Sequence, residues 1–344
     1  MKKVLAVLML VLAAFVFAQT INWAFLQEPI SLNIWDYLGP NATVWTGYVI
    51  GPRIAGLYSY SDVRFDWVPS IAADLPDLVQ EGDHWVYTIK LRTDVTWSDG
   101  TQLTADDVVW TMNTVKKFIV DYGLGGNWAG YIDPDYFVKA EKIDDFTVKI
   151  HFTQPSLAKA NFGALMMPIL QKKYWEPKVE EALKTANPLQ TMYNYDTSDE
   201  PILGAFLLKK WEKGAFIEVT ARKDYFDTGS ILTLYKNGAV EIKNPKTGFA
   251  WSGYGEPTGE KQLELVTGPY VDSIIYRMYL NRSAAITALI NGDVSFIFNS
   301  LGLQKGEVDQ LAKVANVKLI SNSVNGFRYM CFNMRRFPMN IKEF

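Results

Sequence analysis

The sequence predicts a mixed α/β or α+β fold of about two domains. Three observations carry this. Short windows of apolar alternation recur along the chain, helix-boundary signals fall between them, and no internal repeat or low-complexity tract interrupts the pattern. With 344 residues, 49% of them hydrophobic, the chain supplies a substantial core without needing disulfides or a metal.

Taken in order, Lys2 and Lys3 precede an apolar run from Val4 to Phe17, and Val16-Phe17-Ala18 offers the residues that a signal peptidase reads. The run is short for a membrane span, so residues 1–18 are expected to be an export signal cleaved after Ala18. Ile21, Trp23 and Phe25 alternate as a strand that Pro29 ends, and residues 44–60, apolar with three glycines, fit a packed helix or a strand pair. Trp85, Tyr87, Ile89 and Leu91 share one face of a strand, and Ser98-Asp99-Gly100 is a turn. Thr104 then caps a helix, with Asp107 three residues on to reach back and Asp106 beside the positive helix end. Adjacent helical carboxylates point about 100° apart, so Asp106 and Asp107 are read as caps and not as a catalytic pair. Phe146, Val148, Ile150 and Phe152 mark a further strand, and residues 216–220 another. Residues 231–259, rich in Gly and Pro, are expected to be loops and turns. Residues 274–280 form a strand, followed by a helix whose apolar stripe is Ala284, Ala285, Ala288 and Leu289 and whose end is Asn291-Gly292.

Composition excludes several function classes. A formal charge of −3 leaves no electrostatic footprint for nucleic acid. Cys331 stands alone, so no internal disulfide forms, and its neighbours Arg328 to Phe332 read as a strand. His84 and His151 are the two imidazoles and neither has partners at metal spacing, so no metal and no cofactor is expected. No nucleophile or zinc pattern appears.

One stretch is distinctive: Trp85-Val86-Tyr87-Thr88-Ile89-Lys90-Leu91-Arg92, then Thr96-Trp97-Ser98-Asp99-Gly100-Thr101, then Leu103-Thr104-Ala105-Asp106-Asp107-Val108-Val109. This run resembles the signature of bacterial extracellular solute-binding proteins of family 5, the oligopeptide, dipeptide and nickel-binding group that serves ABC importers. Glu28-Pro29-Ile30-Ser31-Leu32-Asn33, Trp211 to Gly214, Arg222 to Phe226, Tyr276 to Asp293 and Phe332 to Pro338 resemble further segments in the same order. Ile202-Leu203-Gly204-Ala205-Phe206 departs from the family's Gly-Thr-Gly-Pro-Tyr, and Ser295 stands where the family usually has an acid. The resemblance implies a type II periplasmic-binding-protein-like fold. Residues 19–48 and 191–325 would form domain I, residues 49–190 domain II, and residues 326–344 the start of a crossover to a second lobe that is largely absent. On that reading the chain cannot close alone around a ligand.

The resemblance also implies a periplasmic or extracellular monomer that hands a small ligand to membrane permease subunits, with no enzymatic activity. In the family the loop after the first strand reaches the cleft, so Glu28, Trp45 and Tyr48 are expected ligand contacts, joined by Trp128. Trp35, Tyr37, Trp45, Tyr48, Trp128, Tyr131, Trp251 and Tyr254 are read as lying in irregular segments, where flat aromatic faces suit an oligosaccharide. An oligopeptide would instead need backbone pairing; both ligands stay open, with the set of aromatics tilting slightly towards sugar. Two alternatives remain beside them, a secreted carbohydrate-active enzyme with paired carboxylates and a truncated product of an interrupted gene.

Overall fold

The structure, a computed structural model, describes residues 19–61, 63–64, 66–155, 163–299, 302–321, 330 and 333–341. The export signal with its cleavage point, most of the expected strand around Cys331 and about half of the expected crossover lie outside these residues. The chain divides into two compact units, Met1–Ser300 and Leu301–Phe344.

In the first unit, a five-stranded sheet runs in the order Phe296–Ile297, Thr20–Phe25, Ser273–Met278, Phe216–Ala221, Phe206–Glu212. Thr20–Phe25 is parallel to both neighbours, with Trp23 opposite Tyr276 on one side and Phe296 on the other. Its alternation places Phe25 against Trp45, Val49, Ile217, Ile274 and Tyr276, while Ala24 faces a second cluster with Ala285, Ala288 and Val294. The helix Arg282–Asn291 brings Ala285 and Ala288 to that cluster and ends at Gly292, whose φ of 83° only glycine adopts cheaply. Ala284, expected in the apolar stripe, is exposed and Ile286 is buried in its stead. At the start of Thr20–Phe25, the Gln19 main-chain N–H donates to Asp272 Oδ2 at 2.7 Å and the Gln19 carbonyl accepts from Asp272 N.

The largest core lies under a four-stranded antiparallel sheet ordered Asp77–Glu81, His84–Lys90, Thr147–Phe152, Phe137–Asp144. The helix Ala105–Tyr122 covers it with Val108, Met112, Val115 and Phe118, spaced three to four apart. The distinctive motif is the joint of this region. Gly100 at φ 82° makes the turn, and Asp99 Oδ1 accepts from Thr101 N. Thr104 and Asp107 close a capping box, and Asp107 also accepts from Trp97 Nε1 and Lys172 N. The Asp107 carboxylate thus ties the turn, the helix start and the helix Lys172–Ala182 together, which fixes its role as structural.

The stretch expected to be loops is a sheet. Ala250–Gly253, Val240–Lys243, Ile231–Tyr235 and Lys261–Val266 pair antiparallel in that order, burying Val240, Ile242 and Trp251. Its glycines occupy the connections, as Gly238 does at φ 89° between two strands. Residues 44–60 resolve as the helix Val44–Ile50 and the strand Tyr58–Tyr60. In the second unit the helix Lys305–Leu311 begins with a capping box between Gln304 and Glu307.

Candidate functional site

In sheets with parallel strands the carboxyl ends are where ligands gather, because the chain diverges there and leaves a crevice. The carboxyl end of the strand Thr20–Phe25, which has a parallel neighbour on each side, is followed by the irregular run Leu26, Gln27, Glu28, Pro29, Ile30, Ser31. This run is anchored at both ends. Behind it the strand pairs on both sides, and ahead Asn33 caps the helix Ile34–Leu38 while donating to the carbonyls of Met192 and Tyr195. Between the anchors, the main-chain groups of Gln27, Glu28 and Ile30 form no hydrogen bond with any described residue. Ile30 is 55% exposed.

Glu28 Oε1 accepts two hydrogen bonds of 2.9 Å, from Trp211 Nε1 and from Gly214 N. Gly214, at φ 77°, is in the turn between Phe206–Glu212 and Phe216–Ala221, so Glu28 fastens that hairpin tip to the run. Trp45 is buried edge-on against Phe25 at 5.4 Å. Tyr48, half-buried, lies 4.3 Å from the Phe298 ring and 6.1 Å from Phe25. Trp45 and Tyr48 therefore gather around the last residue of the strand, and Glu28 follows three residues later.

Trp128 does not join them. It is fully buried in the largest core, 5.2 Å from the Trp35 ring, and its indole N–H donates to the Trp35 carbonyl. An indole with no exposed surface and an occupied donor offers nothing to a ligand, which corrects the expectation that it is a contact. The same applies more widely to the aromatics read as irregular. Trp35, Tyr37, Trp45, Tyr48, Trp128 and Tyr131 are all on short helices, Trp251 is on a strand, and the four tryptophans are buried.

Sequence reasoning missed Phe296 and Phe298. Phe298 touches Trp23, Phe25, Tyr48 and Phe296, each with ring centroids between 4.3 and 5.2 Å, and Phe296 is 51% exposed. The alternation Val294, Phe296, Phe298 directly after the Asn291-Gly292 helix end was the available signal, a short strand returning to the sheet. Next to the run lies an open groove of about 410 Å³, bordered by Ile30, Ser31, Asp36, Tyr193, Asp196 and Trp211. Among the described residues no group of three or more His, Cys, Asp or Glu is placed to hold a metal ion.

The family model described as "Bacterial extracellular solute-binding proteins, family 5 Middle" matches residues 66–344. The oligopeptide-binding protein AppA of Bacillus subtilis (strain 168) is 23% identical over 279 residues, which are 80% of this chain and 41% of that protein. The solved structure of AppA from Bacillus subtilis with a nonapeptide aligns at a TM-score of 0.60 and 20% identity, over 88% of this chain and 47% of that one. A mannohexaose-bound periplasmic oligopeptide-binding protein from Thermotoga maritima aligns at 0.58 and 19% identity, over 86% and 44% respectively. The chain thus spans less than half the length of these relatives, and at this identity the two structures establish a shared fold.

Proposed function

The chain belongs to the bacterial extracellular solute-binding proteins of family 5, and from that premise we propose that it captures an oligopeptide for an ABC importer. The observation that carries the peptide reading is the run after the strand Thr20–Phe25. Free main-chain N–H and C=O groups at Gln27, Glu28 and Ile30, held between two anchors, are what an extended peptide pairs with. A sugar would be expected to stack on exposed aromatic faces, and the tryptophans that favoured it are core residues. The AppA relative, named for oligopeptide binding, adds weight to the same side.

In this proposal Glu28 shapes the run, Tyr48 with Phe296 and Phe298 forms an apolar floor, and Trp45 supports that floor from within. Residues 19–48 and 191–325 are domain I and residues 49–190 domain II. The protein is exported by its leader, acts as a monomer outside the cytoplasmic membrane and delivers its ligand to permease subunits. Capture without catalysis is in keeping with binding-protein relatives. The test is a nuclear magnetic resonance titration with an alanine pentapeptide and, separately, mannohexaose. The expected result is saturable shifts of the Gln27, Glu28 and Ile30 amides with the peptide alone. Shifts with the sugar and none with the peptide would reverse the assignment.

A further inference from the structure

We propose that the groove beside the unpaired run is a subsite for a cationic side chain of the bound peptide, a guanidinium above all. This rests on the oligopeptide reading and specifies which peptides are preferred.

Position comes first. Ile30 and Ser31 belong to the run and also form the near wall of the groove, so a peptide lying along the run has a side chain's reach into it. A volume of about 410 Å³ is within the range of ligand pockets and ample for one long side chain.

Charge comes second. Asp36 is 5% exposed, its Oδ1 accepts from Asn41 Nδ2 at 2.8 Å, and it has no cationic partner among the described residues. Its remaining acceptor capacity can take a donor from a ligand, and a cationic donor makes the stronger hydrogen bond. Asp196 is the second acid of the groove. Hydrogen bonds from Ser198 hold its carboxyl below the ordinary range, so it is ionised at neutral pH. Lys213 also borders the groove, but its ammonium lies 4.8 Å over the Trp211 ring and pairs with neither acid.

Shape and donor count come third. Trp211 and Tyr193 give the groove aromatic walls. Trp211 has committed its N–H to Glu28 and already carries the Lys213 ammonium over its ring, so what it adds to the groove is an aromatic wall. A planar cation with five N–H donors matches two acceptor carboxylates and aromatic faces at once. A neutral sugar brings no cation to the two acids of the groove.

The test uses the full chain and two single-residue probes, Nα-acetyl-L-arginine N-methylamide and its uncharged citrulline isostere, followed by the Trp211 indole N–H resonance. The arginine probe is expected to bind at least about fivefold more tightly, as charge-assisted hydrogen bonds exceed neutral ones. Asp36→Asn and Asp196→Asn are each expected to shrink that preference. Asp196 is exposed, so its variant stays informative if the Asp36 variant folds poorly. Equal affinity for the two probes, or a preference that survives Asp196→Asn in full, overturns the subsite. An alanine pentapeptide separates the two levels. If it shifts the amides of the run while the arginine preference is missing, the subsite alone falls. If neither probe nor pentapeptide binds and mannohexaose does, the peptide reading falls with it.

Discussion

Asp107 and Glu200 are two carboxyls whose surroundings push them the same way for different ends. Burial raises the Asp107 carboxyl, while donors from Lys172 N, Thr104 N and Trp97 Nε1 oppose that rise. Asp107→Asn turns one acceptor oxygen into a donor facing donors. It is expected to lower stability by about 1–3 kcal/mol, read from the urea midpoint at unchanged slope. Glu200 accepts from Trp175 Nε1, and burial pushes its carboxyl up to about 7 against the pull of the Arg53 guanidinium. A folded-state value above the unfolded one means that protonation favours the fold. This contribution is complete below the unfolded value and is lost as pH rises through about 7. Stability should therefore fall between about pH 4.5 and pH 7, and Glu200→Gln should flatten the fall and gain on the order of 2–3 kcal/mol at the alkaline end. Thermal unfolding across that range measures both, and an unchanged slope in the variant would place the titration elsewhere.

Elements differ in how far their sequence announces them. The turn at Asp99 and the cap at Thr104 were legible because the bonds that define them, Thr101 N to Asp99 and the Thr104–Asp107 box, span no more than three residues, and the strand Thr20–Phe25 was legible from alternation. The sheet from Ile231 to Val266 was not. Its strands are four to six residues long, and the Gly and Pro between them read as loop, although Asn237-Gly238 between two apolar runs is a hairpin signal. In the site, Glu28 and Tyr48 were reachable from the order of segments. Trp128 was misjudged and Phe298 missed because their neighbours, Trp35 for one and Trp23, Phe25 and Tyr48 for the other, are distant in sequence. Gly126 before the helix Asn127–Tyr131 shows how tight such long-range contacts are. It sits at φ 67°, and a Cβ there would come 2.2 Å from the Gly39 carbonyl oxygen. Gly126→Ala combines left-handed strain with a backbone clash and should cost more than about 2 kcal/mol, measured by chemical denaturation. Gly130→Ala, where a Cβ meets open space, is the matched control and should be nearly neutral.

At the scale of the molecule, the parallel strands bring three distant stretches of chain, residues 20–25, 273–278 and 296–297, to one edge. The ligand surface proposed here is thus assembled only when the beginning of the chain has met residues more than two hundred and fifty positions later. The Gln19 contact with Asp272 sits at the start of that same pairing. If export cuts after Ala18, the peptide N–H of Gln19 becomes an α-ammonium facing a carboxylate, and a neutral hydrogen bond becomes an ion pair at an exposed site, worth up to about 1 kcal/mol. Secretion would then act as a finishing step that tightens the first strand, and a precursor would be slightly looser than the protein outside the cell. Cyclisation of Gln19 to pyroglutamate would consume the ammonium and erase the gain. Mass spectrometry of secreted material, set beside its melting temperature at low and high salt, would find the increment in the open form and not in the cyclised one.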